Sequence, residues 1–388
     1  MIDFEFLSPV SQAVLAHNQL LSSQCIGNAI KIHTEEYGLP DIDGVQLAIV
    51  GVSETRNAVQ HQTEPLDLNE IRKEFYSLFL GNWSAAMVDL GNILQGETVE
   101  DTYFAVKELV SFLVKKKIVP IVIGGSHDLT YSLYRAFDQL EQMVNLTVID
   151  HQFDLGAADD EMTSKSYLSK IIAKEPHNLF NFSNIGYQTY FNAQEHIDLM
   201  DQLYFDVYRL GEIINDITLV EPVLRDTDIV SIDMKSVRAA DLGHVRDTTP
   251  NGFDGREICG ISRYAGISDK VSVFGVFETI TNCTVYNQLT AQVIWYFIEG
   301  FNFRKKDYPF ITTATYEKYI VPLDEQEDLI FFKSDISERW WIEIATPDVL
   351  DTKMKIHTLL PCTYQDYLDA SDLKIPERWW KAYKKMLV

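Results

Sequence analysis

Six stretches of the chain are almost unbroken in Val, Ile, Leu and Ala: Val45 to Val52, Ala85 to Leu90, Val119 to Ile123, Leu146 to Asp150, Ile229 to Asp233 and Val271 to Phe277. Runs this short and continuous fit β-strands covered on both faces. Between them the apolar period changes. Val99 to Lys115 reads as a helix with Phe104, Val106, Leu109, Val110 and Leu113 on one side, and Lys115 to Lys117 complements its C-terminal dipole. Leu129 to Leu140 reads as a second helix. The alternation of strand and helix predicts an α/β fold with a mainly parallel sheet and helices on both faces. In such sheets ligands bind beyond the carboxyl ends of strands. Three polar segments stand there: GGSHD at Gly124 to Asp128, DHQFD at Asp150 to Asp154 and SIDMK at Ser231 to Lys235.

Two regions leave this pattern. Residues 1–44 read as an N-terminal helical extension, with a helix through Val10 to His33 and a turn region at Gly38, Pro40 and Gly44. Residues 45–304 form the α/β domain. Residues 305–388 are charged and aromatic and contain Glu-Arg-Trp-Trp twice, at Glu338 to Trp341 and Glu377 to Trp380. They read as an extension packed on the domain, serving to cover it or to contact another copy.

Composition narrows the function classes. With 46% hydrophobic and 23% charged residues the chain has the balance of a folded globular protein. A formal charge of -24 opposes binding to nucleic acid or an anionic membrane, because the summed field repels phosphate. Cys25, Cys259, Cys283 and Cys362 are widely spaced, so they indicate neither a zinc site nor a disulfide framework. Asp3 and Glu5 stand where a signal peptide needs a basic flank, and no apolar stretch is long enough to span a bilayer, which gives a cytoplasmic expectation.

The strand ends carry the candidate chemistry. Side chains two apart on a strand face the same way, so an extended chain beyond Asp150 would align Asp150, Gln152 and Asp154 and turn His151 away. The same rule groups Asp233 with Lys235. Gly124 and Gly125 permit a tight turn that presents His127 at the sheet edge. One imidazole with three carboxylates suits Mn²⁺ or Mg²⁺ better than a structural zinc. Asp128 either orients His127 or caps the following helix, and His244 in the polar loop Asp241 to Asp247 either contacts substrate or is solvated. No GxSxG elbow, P-loop or GxGxxG signature is present.

These segments, in this order, resemble the ureohydrolase family of arginase, agmatinase and formimidoylglutamase, whose members carry a GGDHS-like loop, a DAHxD strand end and a later SxDxD strand end. The resemblance runs from about Val45 to Phe303. It includes Ile49 to Val52, Ile71 and Arg72 opening an early helix, and Glu278 after the last strand. It implies an arginase-like three-layer α/β/α sandwich. The family holds two Mn²⁺ ions with six side chains. One ion's ligand set carries over as His127, Asp150, Asp154 and Asp233. The other ion's private ligands fall on Gln152 and Lys235, and a charged ammonium has no lone pair to offer. The resemblance therefore implies one Mn²⁺ or none, with Asp154 and Lys235 as candidate catalytic residues and Glu278 as the acid that grips a cationic substrate.

Asp150, Asp154 and Asp233 against Lys235 leave a net -2, which a single divalent cation would offset. The alternative is that no metal binds and Lys235 pairs with Asp233 and Asp150. The loop Thr163 to Leu168 lacks the proton-transfer histidine of arginine- and agmatine-using members, as does the formimidoylglutamase branch. Two functions follow. One is hydrolysis of a C–N bond in a small cationic linear amidine, formimidoylglutamate-like, by metal-activated water. The other is a catalytically inactive binding or scaffold protein in which Lys235 replaces the second metal. Family members are commonly oligomers, so a homo-oligomer is also implied.

Overall fold

The computed structural model describes residues 4–59, 66–140, 142–157, 161–244, 248–280, 282–308, 316–323, 328–344 and 359–387. Its central sheet is built from β1 (Leu7–Ser8), β2 (Lys31–Ile32), β3 (Leu47–Val52), β4 (Met87–Ile93), β5 (Val119–Ile123), β6 (Val144–Ile149), β7 (Leu179–Tyr187), β8 (Asp206–Arg209), β9 (Ile229–Asp233) and β10 (Val273–Phe277). The order across the sheet is β1-β4-β3-β5-β10-β9-β6-β7-β8, with β2 also on β4. Apart from the antiparallel β1 edge, every pairing of this sheet among the described residues is parallel. Every residue of β3, β5, β6, β9 and β10 is buried, as their continuous apolar runs require.

Helices cover both faces. One face packs Ile71 and Phe75 of helix Asn69–Tyr76, Ile258 and Ile261 of Gly255–Ile267, and Val293 and Phe297 of Thr284–Asn302. The opposite face packs Val106 and Leu109 of Val99–Lys115, Leu133 of Leu129–Arg135 and Leu168 of Tyr167–Ala173. The result is the three-layer α/β/α sandwich. Helix Val99–Lys115 has the bounds its pattern predicts, set by a capping box between Thr98 and Asp101.

Several local expectations change. Phe104 is 61% exposed, because it lies about 200° around the helix from Val106; Tyr103 takes the buried place. The segment Val10 to His33 is not one helix but two short ones, Gln12–Asn18 and Ile26–Ala29, followed by β2. From the second of these the Asn28 side-chain amide donates back to the carbonyls of Asn18, Leu21 and Ser22, which fixes a turn in place of continued helix. The helix expected to reach Leu140 ends at Arg135. β7 and β8 have no counterpart among the expected strands. The four cysteines are free thiols.

The charged and aromatic tail is more ordered than its pattern suggests. β11 (Tyr316–Val321), β12 (Leu329–Ser334), β13 (Trp340–Glu343) and β14 (Leu359–Cys362) form a second, antiparallel sheet in that order. Helices Tyr364–Ser371 and Glu377–Leu387 follow. The repeated tetrapeptide has no common structure: its first copy leads into β13 and its second opens the last helix.

Candidate metal centre

β5, β10, β9 and β6 are consecutive neighbours, and the candidate residues follow their carboxyl ends. Register sets who meets whom. Ile149 is level with Ile232, which brings Asp150 beside Asp233. Phe277 is level with Asp233, so Glu278 emerges next to it. Gly124 and Gly125 have φ of +97° and +69°, and their turn is tied to β10: Gly124 N donates to the Val276 carbonyl (2.9 Å), and Glu278 N donates to the Gly125 carbonyl (2.9 Å). His127 is delivered inward and fully buried.

The imidazole is the point of convergence. His127 Nδ1 lies 2.9 Å from Asp154 Oδ2, 3.4 Å from Asp150 Oδ2 and 3.8 Å from Asp233 Oδ2. Its other nitrogen, Nε2, is 3.1 Å from Ser231 Oγ, which also meets Thr130 Oγ1 at 2.6 Å. The Tyr167 ring stands edge-on to the imidazole, with centroids 5.0 Å apart. Ligand atoms of His127, Asp150 and Asp233 all fall within 4.8 Å of one another. Asp154 is not in that set and joins it through its contact with His127 Nδ1.

The strand geometry assumed for DHQFD does not persist. Asp150 Oδ1 accepts from Gln152 N (3.0 Å), closing a turn directly after β6, and Asp154 has φ of +51°. His151 therefore does not point away. Its Nδ1 lies 2.8 Å from Asp150 Oδ1, and its ring meets Phe191 edge-on. Gln152 is anchored by its backbone, its carbonyl accepting from Asn184 Nδ2 (2.8 Å).

Lys235 also departs from expectation. It lies in a tight turn, Met234–Ser236, where its backbone N–H donates to Asp233 Oδ1 (2.6 Å). Its ammonium Nζ makes a 2.6 Å ion pair with Glu278 Oε2, a partner that neither reading of the sequence assigned. The other Glu278 oxygen accepts from His127 N (2.9 Å), and Tyr286 OH donates to the Glu278 carbonyl (2.7 Å). Asp128 makes no capping bond; it accepts from Tyr103 OH, which in turn accepts from Asn57 Nδ2 (2.7 Å). His244 contributes its carbonyl to Thr248 Oγ1 (2.8 Å), and part of its loop lies outside the described residues.

Burial and crowding dominate the electrostatics. Burial and the neighbouring Asp150 charge push Asp233 up to about 6 and Asp154 well above the usual carboxylate range. Asp150 takes the opposite direction: burial works against its charge, but His151 and His127 hold it ionised. Burial also opposes the His127 cation, and the surrounding carboxylates reverse that and raise it well above the ordinary imidazole value. Asp150 Oδ2 is buried and forms no hydrogen bond. A buried carboxylate oxygen that makes no hydrogen bond, beside two more carboxylates and one imidazole nitrogen, fits a hard divalent cation in chemistry and in charge.

A model of the arginase family matches residues 50–299, well over half of the chain. The chain belongs to the arginase family. Among arginase-family relatives, the formimidoylglutamase of Lysinibacillus sphaericus is 25% identical over 144 residues, covering 36% of this chain and 44% of that protein. The chain thus aligns with under half of that relative's length. The crystal structure of Trypanosoma cruzi formiminoglutamase with Mn²⁺ superimposes with a TM-score of 0.60 at 16% identity, covering 68% of this chain and 96% of that one. Bacillus subtilis formimidoylglutamase gives 0.60 at 15% identity, with 69% and 91% covered. The agmatine ureohydrolase of Thermoplasma volcanium gives 0.56 at 16%, with 74% and 97% covered. At such identities these structures establish the arginase-like fold of the chain.

The sequence missed His151, Ser231, Thr130 and Tyr167 as parts of the centre. Ser231 carries a visible signal, since it sits two residues before Asp233 on β9 and shares its face. For Tyr167 and Thr130 no spacing rule points to the imidazole.

Proposed function

We propose that this arginase-family chain is a hydrolase that cleaves a C–N bond of a linear amidine of the formimidoylglutamate type, using one divalent cation, Mn²⁺, held by His127, Asp150, Asp154 and Asp233. The observation that supports it most is the convergence of three buried carboxylates on His127 Nδ1, with Asp150 Oδ2, 3.4 Å from that nitrogen, making no hydrogen bond. When bound, the cation supplies a Lewis acid that lowers the pKa of water. The chain's own groups supply the rest. Asp154, whose Oδ2 lies 2.9 Å from His127 Nδ1, is placed to take up a proton released at the centre. Glu278 offers a carboxylate for a charge-assisted pair with an amidinium. The Tyr167 ring shields the imidazole from bulk water. Lys235 supplies the positive charge that a second ion brings elsewhere in the family.

A catalytically inactive protein with a binding role is the second reading, and the Lys235 to Glu278 pair is what favours it, because the acid meant for substrate is already engaged. Metal analysis with anomalous scattering, together with a screen of linear amidines with and without Mn²⁺, separates the two. We expect one ion per chain at the four named ligands, Mn²⁺-dependent release of formamide, ammonia or urea, and a drop of about 10²–10⁴ in turnover for Asp154→Asn. Two bound ions, or an ion touching Lys235, would overturn the one-metal centre. An intact ion with no turnover, and activity appearing only in Gln152→His combined with Lys235→Asp, would establish the inactive reading.

A further inference from the structure

The geometry points to Lys235 as an exchangeable cation that selects for amidines carrying a carboxylate. This rests on the reading of Glu278 as the acid that receives the amidinium. Glu278 is fixed on three sides: His127 N at Oε1 (2.9 Å), Tyr286 OH at its carbonyl (2.7 Å) and Gly125 O at its N–H (2.9 Å). Its remaining oxygen, Oε2, is the one that a guest cation would meet, and the Lys235 ammonium sits on it at 2.6 Å.

The two partners differ in freedom. The Glu278 side chain is 7% exposed and follows a backbone held at φ +55°. The Lys235 side chain is 21% exposed and ends a flexible four-carbon stem, although its backbone is pinned by Asp233. The carboxylate is the fixed member of the pair. The ammonium is the one that can swing.

A purely cationic guest such as agmatine reaches Glu278 only by evicting Lys235, which leaves an ammonium without its short partner in a partly buried cleft. A zwitterionic guest avoids that. Its amidinium takes Glu278 and a carboxylate takes the displaced Lys235, so one ion pair is exchanged for two. No covalent step is involved. The lysine thus acts as a specificity residue through its charge, whether or not turnover follows.

The test is calorimetric binding of agmatine and of N-formimidoyl-L-glutamate to full-length wild type, Lys235→Met and Lys235→Arg, each supplied with Mn²⁺, with circular dichroism to confirm folding. Wild type and Lys235→Arg should prefer the zwitterion. Lys235→Met should gain agmatine affinity by at least about tenfold and lose affinity for the zwitterion by a similar factor. Adding Glu278→Gln to Lys235→Met should remove the agmatine gain. The inference is overturned if Lys235→Met binds agmatine no better than wild type does, if Lys235→Arg behaves like Lys235→Met, or if none of the folded proteins binds either ligand. Because the readout is binding, absence of hydrolysis would sink the catalytic reading and leave this one standing on its own result.

Discussion

At the scale of single residues, the burial that shapes the centre also acts at the foot of the sheet. Asp228, just before β9, is buried, and burial pushes its carboxyl up to about 6 although Lys270 Nζ lies 3.5 Å away and Asn145 N donates to it at 2.8 Å. Lys270 stays charged: burial opposes its ammonium, but Asp226 and Asp228 raise it above its usual range. The folded value of Asp228 exceeds its ordinary 3.8, so the folded protein holds this proton more tightly than the unfolded chain does. Its contribution to stability is complete below that ordinary value and is lost as pH rises through about 6. Asp228→Asn keeps an acceptor for Asn145 N–H and has no such titration. Wild-type stability relative to Asp228→Asn should therefore fall by about 1–2 kcal/mol between pH 5 and 7.5, measured by urea denaturation. A difference independent of pH would show that the carboxyl is not shifted.

Residues also show where reading the sequence stops working. The segments that hold His127, Asp150, Asp154 and Asp233 were legible because each follows a continuous apolar run, and such runs locate the carboxyl ends of buried strands; the choice of these four as ligands rested on the family resemblance. His151 was misjudged because alternation holds only while the chain stays extended, and the Asp150 side chain captures Gln152 N–H and ends it. The Lys235 to Glu278 pair depends on how β9 registers against β10, which no local pattern states. The sequence pairs Lys235 with Asp233 and Asp150, whereas its short partner Glu278 follows the adjoining strand β10.

At the scale of elements, the strands that carry the site were the easiest to find. β5 and β9 have the expected bounds, Val119 to Ile123 and Ile229 to Asp233. β7 was hidden by Asn181, Ser183 and Asn184, polar residues that break the apolar run; Asn181 Nδ2 donates to Asp206 Oδ2 and Asn184 Nδ2 to the Gln152 carbonyl (2.8 Å each). The turn after β5 is where an element most tightly determines the centre. A Cβ on Gly125 would come within 2.6 Å of the Glu54 carbonyl oxygen, at a φ of +69°. Gly38 has nearly the same φ, +68°, with nothing within 4 Å of its Cβ position. Gly125→Ala should cost about 2–4 kcal/mol and weaken Mn²⁺ binding by displacing His127, whereas Gly38→Ala should cost about 1–2 kcal/mol from the left-handed backbone alone and leave Mn²⁺ binding unchanged. Denaturation midpoints and metal titration of the pair check this. Equal costs would mean that crowding at the turn is absent.

At the scale of the whole molecule, the chain has separate hydrophobic bodies. The two faces of the central sheet bury most of the apolar side chains, while Val321, Leu329, Phe331, Trp340, Ile342 and Cys362 pack among themselves in the second sheet. The seam between sheet and domain is largely polar. Arg225 Nη2 donates to the Cys362 carbonyl (2.8 Å), Arg339 pairs with Glu221 (3.2 Å), and Lys385 lies 3.6 Å from Asp206. Among the described residues two apolar contacts also cross it: the fully buried Trp341 ring lies under the Arg225 guanidinium at 4.6 Å, and Phe180 of β7 packs against the cluster of Ile344, Ala382 and Met386. A seam of ion pairs with only small apolar contacts allows local opening at lower free energy than global unfolding. Trp341→Ala should destabilise the second sheet by about 3–5 kcal/mol, the usual cost of truncating a buried Trp. Native-state hydrogen exchange resolves where that loss falls. Amides of β12, β13 and β14 should lose protection while those of β3, β5, β9 and β10 keep it, and Mn²⁺ should still bind at His127. Uniform loss across both sheets would show instead that residues 316–387 and the α/β domain fold as one cooperative unit, and the tail would then have to be counted among the elements that hold the metal centre in place.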